Sequence, residues 1–113
     1  MIKNGLYSFK SKALDDVEAS DSGIFVLRDG TIRGGTTFLY YEGTYSCSDG
    51  RWKGEWTCDE HTPAPIIRLM ARKIVNSGFS GTYTDVGAEI DGTALIGKRS
   101  VRYNAIFRLR VAD

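Results

Sequence analysis

The chain has 113 residues, enough for one domain whose core removes roughly two thirds of the unfolded surface from water. Fifteen basic residues against fourteen acidic ones leave a formal charge of +1, which excludes a global attraction to nucleic acid or to anionic membranes. No apolar run approaches a membrane span, and residues 1–5 carry no apolar signal segment, so a cytoplasmic protein with no membrane or direct nucleic-acid partner is expected.

Residues 4–11 alternate Leu6, Ser8 and Lys10 against Tyr7, Phe9 and Ser11, the period of a strand. Residues 12–22 are polar and acidic and read as a loop. Residues 23–28 are rich in Ile, Phe, Val and Leu and end at Asp29-Gly30, a two-residue hairpin signal. That turn pairs Leu27 with Ile32 and Phe25 with Gly34. Gly34-Gly35 then predicts a break or a bulge.

The most informative stretch is 40–58, centred on Asp49-Gly50. Asp-Gly tolerates the positive φ values of a type I′ turn. The turn sets Cys47 opposite Trp52, Tyr45 opposite Gly54, Gly43 opposite Trp56 and Tyr41 opposite Cys58. These eight residues share one apolar face. The other face carries Tyr40, Glu42, Thr44, Ser46, Arg51, Lys53, Glu55 and Thr57, and is almost wholly polar. One face is therefore wet and the other buried.

Ile66, Ile67, Met70, Ile74 and Val75 follow Pro65 near helical spacing, with Gly78 as a stop, and predict a short helix over 66–76. Residues 79–84 read as a strand. Residues 85–92 read as a turn region containing a third Asp-Gly, Asp91-Gly92, followed by a short strand over 93–97. Residues 100–111 alternate Val101, Tyr103, Ala105, Phe107, Leu109 and Val111 with Arg102, Asn104, Ile106, Arg108 and Arg110. About eight alternating strands joined by tight turns, with one short helix, predict a mainly β protein. Its expected fold is a single up-and-down antiparallel barrel over 1–113.

No phosphate loop, nucleophile elbow or zinc spacing occurs, so no catalytic residue, cofactor or metal is expected. His61 follows Cys58, Asp59 and Glu60, but residues consecutive along a strand end point in different directions. Asp85, Glu89 and Asp91 lack the ligand periodicity of a calcium loop. Arg102, Arg108 and Arg110 form a basic stripe on the outer side of the last strand. Tyr41, Tyr45, Trp52 and Trp56 face the barrel interior and could either line a small apolar ligand or fill the core themselves. Cys47 and Cys58 are not cross-strand partners, so both are expected as free thiols.

Gly5-Leu6-Tyr7-Ser8, Gly23-Ile24, Asp29-Gly30 followed by Gly34-Gly35, and Tyr41-Glu42-Gly43 occur in order along the chain. With the β-rich C-terminal half, they give a chain that resembles the GrlR-like family of type III secretion negative regulators. The resemblance implies a lipocalin-like (calycin) barrel that acts as a homodimer. It also implies a non-enzymatic function, repression by binding a transcriptional activator. The acidic Glu-Asp-Glu-Asp loop of the family's best-known member is matched here by Ser46-Cys47-Ser48-Asp49-Gly50, where only Asp49 is acidic. A lipocalin-like carrier of a small apolar ligand is the alternative.

The deduced registers turn Ile24 and Val26 outward on one hairpin and Phe38 and Tyr40 outward on the next, while Ile106 interrupts the polar side of the last strand. Apolar residues gathered on an outer face mark a contact surface. Ile24, Val26, Phe38, Tyr40 and Ile106 are the expected partner or dimer interface.

Overall fold

The computed structural model describes residues 1–14, 20–63, 75–96 and 99–113. They form eight strands: β1 (Gly5–Ala13), β2 (Ser20–Arg28), β3 (Thr31–Thr36), β4 (Leu39–Ser48), β5 (Arg51–Glu60), β6 (Val75–Tyr83), β7 (Gly87–Ile96) and β8 (Arg99–Ala112). Each strand pairs antiparallel with the next, and β8 returns to β1, so the sheet closes as an up-and-down barrel. Closure removes both edges of this sheet, so none of the described strands is open to edge-on pairing.

The two hairpin turns form as their sequence requires. Asp29 and Gly30 have φ of 50° and 84°, and Asp49 and Gly50 have 51° and 78°. Both central residues of a type I′ turn need positive φ, which aspartate tolerates and glycine adopts freely. The registers follow: Leu27 pairs with Ile32, and Tyr41, Gly43, Tyr45 and Cys47 pair with Cys58, Trp56, Gly54 and Trp52. Asn4 pins the first turn from outside. Its side-chain amide donates to Asp29 Oδ1 at 3.0 Å and its Oδ1 accepts from the Asp29 amide at 3.0 Å.

Several local expectations are corrected. Asp91-Gly92 lies inside β7 and makes no turn; the bend falls at 84–86, just before Gly87. Asp-Gly permits a turn without forcing one. Here Asp91 points outward to accept from the Asn104 amide at 3.2 Å, and a Cβ on Gly92 would overlap the Tyr103 ring. Gly34-Gly35 runs through a regular ladder with no bulge, because Gly34 makes room for Phe25. The bulge lies between β1 and β8, where Leu6 pairs with Val111 but Tyr7 pairs with Leu109. The loop expected over 12–22 is shorter, since β1 continues to Ala13 and β2 begins at Ser20. Of the helix expected over 66–76, residues 66–74 lie outside the described residues, while Val75 and Asn76 begin β6 and Gly78 is a strand residue. The β-branched Val75 suits the extended backbone it adopts.

The core is a stack of aromatic rings. Phe9, Phe25, Tyr41, Trp52, Trp56, Phe79, Tyr103 and Phe107 are all buried. Phe9 lies 4.3 Å from Phe25 between ring centroids, and Trp56 lies 5.2 Å from Tyr41 and 5.1 Å from Phe79. Tilted and edge-on ring pairs add ~0.5–1.5 kcal/mol each beyond their buried area. An eight-stranded barrel has room for so many rings only if the facing positions are small. A Cβ on Gly43 would overlap the Glu55 carbonyl and come within 2.7 Å of Trp56 Cβ. By contrast, a Cβ on Gly78 would meet only the Gly54 carbonyl, at 4.0 Å. We therefore expect Gly43→Ala to lower stability by ~1–3 kcal/mol through overpacking, and Gly78→Ala to be neutral or mildly stabilising. Urea titration of both variants checks this, with the loss read as a lower midpoint at unchanged m.

Candidate functional site

The four aromatic residues expected to face inward do so. Tyr41, Tyr45, Trp52 and Trp56 alternate with exposed neighbours on β4 and β5, and all four are buried. Among the described residues no one cavity is lined by all four. Trp56 packs against Phe9, Phe25, Phe79 and Phe107 at mid-barrel, and Trp52 fills the space beside Tyr45, with its indole Nε1 donating to the Glu89 carbonyl at 3.3 Å. The cavity these rings border is about 20 Å³, lined by Phe9, Ser11, Tyr41, Trp56, Cys58, Ser77, Ala94 and Tyr103. That volume suits about one water molecule, not an organic ligand.

Burial governs the ionisable groups inside the barrel. It pushes the Tyr7 and Tyr103 phenols up to about 12; Tyr45 and Cys47 add to the rise at Tyr7, while the Ser77 hydrogen bond opposes it at Tyr103. The Tyr41 phenol is raised further by the same cause, with Cys58 and Asp21 adding to it. Burial, then the Asp21 and Asp59 carboxylates, pushes the Cys58 thiol up to about 12. A thiol held neutral in this way is a poor nucleophile.

The His61 region diverges as strand geometry requires. Cys58 points into the core, while the exposed His61 ring donates from Nε2 to the Thr36 carbonyl at 3.0 Å and accepts at Nδ1 from the Thr62 hydroxyl at 2.8 Å. Glu89 and Asp91 share the Asn104 amide on the outer wall, at 3.1 and 3.2 Å, and Asp85 stays exposed in the bend before β7. Among the described residues no three metal-ligating side chains converge. Arg102, Arg108 and Arg110 all point outward, with Arg110 Nε donating to Ser8 Oγ at 3.0 Å.

The outer wall brings most of the expected contact residues together. Ile24 and Tyr40 are 49% and 46% exposed, and both are register partners of Gly35, one on each side. Glycine has no side chain, so Ile24 and Tyr40 flank a bare spot about two strand spacings (~9.6 Å) wide. Val26 is half-buried beside them, and its register partner Leu6 faces outward against Val111. The β1 alternation places Leu6 on this side, although it is not among the expected contact residues. Val111 was not legible, because only the β1–β8 bulge turns it to the outside, where it is 59% exposed. Phe38 is half-buried in the bend between β3 and β4, and its carbonyl accepts from the His61 amide at 2.9 Å. Ile106 is exposed on β8 opposite Lys10, apart from the Ile24–Gly35–Tyr40 row.

No family model matches this chain, and no curated protein matches it either. Among the described residues no helix is long and apolar enough to cross a membrane.

Two outcomes follow from the buried groups. Between pH 10 and about 12 the folded state keeps protons on Tyr7 and Tyr103 that the unfolded chain has released. Folding therefore binds more protons in that window, and stability falls as pH rises through it, being complete below about pH 10. Phenolate absorbance should thus rise together with loss of the β-sheet circular dichroism signal. Independently, both thiols are free, so two equivalents should react with a chromogenic disulfide reagent after denaturation without reductant. In the folded protein at pH 8 Cys58 should stay unreacted.

Proposed function

We propose that the protein is a non-catalytic, protein-binding barrel that works through its outer wall. The observation that carries this reading is a contrast. Among the described residues the interior is packed with side chains around a cavity of about 20 Å³, while apolar residues that could have been buried face outward around Gly35. A filled interior disfavours the carrier of a small apolar ligand, which needs several hundred Å³. Exposed apolar residues grouped on one wall favour a protein partner. The regulatory role comes from the sequence resemblance: the protein would repress secretion genes by binding a transcriptional regulator in the cytoplasm. The acidic loop of that family is absent, so the outer wall is the surface assigned to contacts here.

One partner is a second copy of the chain. A two-fold axis between β2 and β3 sets Ile24 of one protomer over the bare Gly35 of the other, with Tyr40 and Val26 closing the rim. Such an isologous contact satisfies each apolar side chain with the same patch on its mate. Sedimentation of the wild type and of an Ile24→Glu, Tyr40→Glu variant tests this. The wild type should run as a dimer and the variant as a folded monomer, since both positions are on the wet side of the sheet. A monomeric wild type at high concentration, or a dimeric variant, rejects this interface. Native mass spectrometry of protein from its source should show no retained small molecule; a stoichiometric organic ligand would instead favour the carrier.

A further inference from the structure

Barrel closure sets β1 beside β8, and the outer face they share carries charge of one sign. Neither strand contains an aspartate or a glutamate. Lys10 and Lys12 point outward from β1, and Arg102, Arg108 and Arg110 point outward from β8. The register sets Lys12 opposite Asn104, Lys10 opposite Ile106 and Ser8 opposite Arg108. On the other side of β1, Lys12 and Lys10 pair with the exposed Ser20 and Ser22. The whole chain has a formal charge of only +1, so these cations are gathered on one wall and the compensating acids lie elsewhere.

The carboxylates of the adjoining strand do not neutralise this wall. Glu89 and Asp91 on β7 both accept from the Asn104 amide, at 3.1 and 3.2 Å. Among the described residues Lys10, Lys12 and Arg108 form no ion pair, and Arg110 donates from Nε to Ser8 Oγ at 3.0 Å. Like charges held on one face repel one another, and an anionic partner relieves that repulsion.

Ile106 decides what kind of anion fits. It is 49% exposed, with Lys10 across the β1–β8 seam and Arg108 two residues further along β8. A single exposed isoleucine is ordinary. One set between cations offers an apolar contact that a phosphate backbone cannot use and a protein segment can. Among the described residues β8, β1 and β2 present no outward aromatic ring on which bases could stack, and a wall of strands enters neither groove of a duplex. Spacing sets the form of the segment. Outward positions recur every ~6.8 Å along a strand, and an extended peptide repeats on one side at the same interval. An acid over Lys12, an apolar side chain over Ile106 and an acid over Arg108 therefore fall at alternate positions of one peptide, with Lys10 beside the middle one.

We propose that the β1–β8 wall docks an acidic protein segment with an acid, an apolar residue and an acid at alternate positions. The proposal rests on the protein-binding reading above. It names the chemistry of a partner other than a second copy, on rows apart from the Ile24–Gly35–Tyr40 row.

Fluorescence anisotropy with a labelled Glu-Glu-Leu-Glu-Glu peptide at low salt tests it. The peptide should bind, and added salt should weaken it, because exposed charges are screened. Lys10→Glu with Arg108→Glu should weaken binding by about tenfold or more. The same variant should bind a Lys-Lys-Leu-Lys-Lys peptide more tightly than the wild type does, a gain that an unfolded variant would not show. Replacing the peptide's leucine by serine should also weaken binding to the wild type. No binding at low salt, equal binding by the variant or by the serine peptide, or tighter binding of a DNA duplex overturns the proposal. The variant should sediment as the wild type does, so lost peptide binding is separable from a lost dimer. A retained organic ligand would reject the protein-binding reading itself, whatever the peptide does.

Discussion

The pairing of inward glycines with inward aromatic rings is the constraint on which this barrel depends. Gly34 gives way to Phe25, Gly43 to Trp56 and Gly92 to Tyr103, each on a neighbouring strand. Close packing at interior density leaves no slack for an extra methyl at such contacts. Each large ring withdrawn from water contributes ~1.5–3 kcal/mol, and the rings then meet edge-on or tilted across the barrel. The glycines cost strand propensity at every one of these positions. The barrel tolerates that cost because full closure supplies every strand with two neighbours.

A filled interior shifts the question of function to the surface and to the barrel's ends. Eight strands are just wide enough for side chains to meet in the middle, so ring size decides between chamber and core. Here the rings win. Among the described residues a cavity of about 20 Å³ lies toward one end, where the inward positions include Tyr41, Ser11, Ser77 and Tyr103. Polar groups at that depth must satisfy one another, and Ser77 does so through the Tyr103 hydroxyl and the Thr93 carbonyl.

The outer wall is shaped by two local irregularities. Gly35 leaves a gap between Ile24 and Tyr40 without disturbing the ladder. The β1–β8 bulge adds a residue to β8, so Arg110 and Val111 both reach the outside. Bulges re-aim side chains in this way while preserving the flanking pairs. The result joins Leu6, Val26 and Val111 to the apolar side of the wall, where simple alternation along β8 would have turned Val111 inward. At the same end the exposed Arg28–Asp113 pair, at 2.9 Å, links the end of β2 to the residue after β8. An exposed pair of this kind adds little stability.

The sequence by itself determined most of the fold. Strict alternation told inside from outside on β1, β4 and β5, and two Asp-Gly turns set registers that hold to the residue. These signals are local: a turn that demands positive φ fixes the pairing of everything next to it. Features set by distant strands were decided only in the tertiary structure. Asp91-Gly92 has the same letters as the two real turns, yet the Tyr103 ring claims the glycine's empty space and β7 runs straight through. The β1–β8 bulge belongs to strands almost a whole chain apart, so nothing near Val111 announced it. The inward face of the four aromatics was legible in their spacing. Whether they enclose a ligand or one another was not, because that depends on the summed volume of rings from all eight strands.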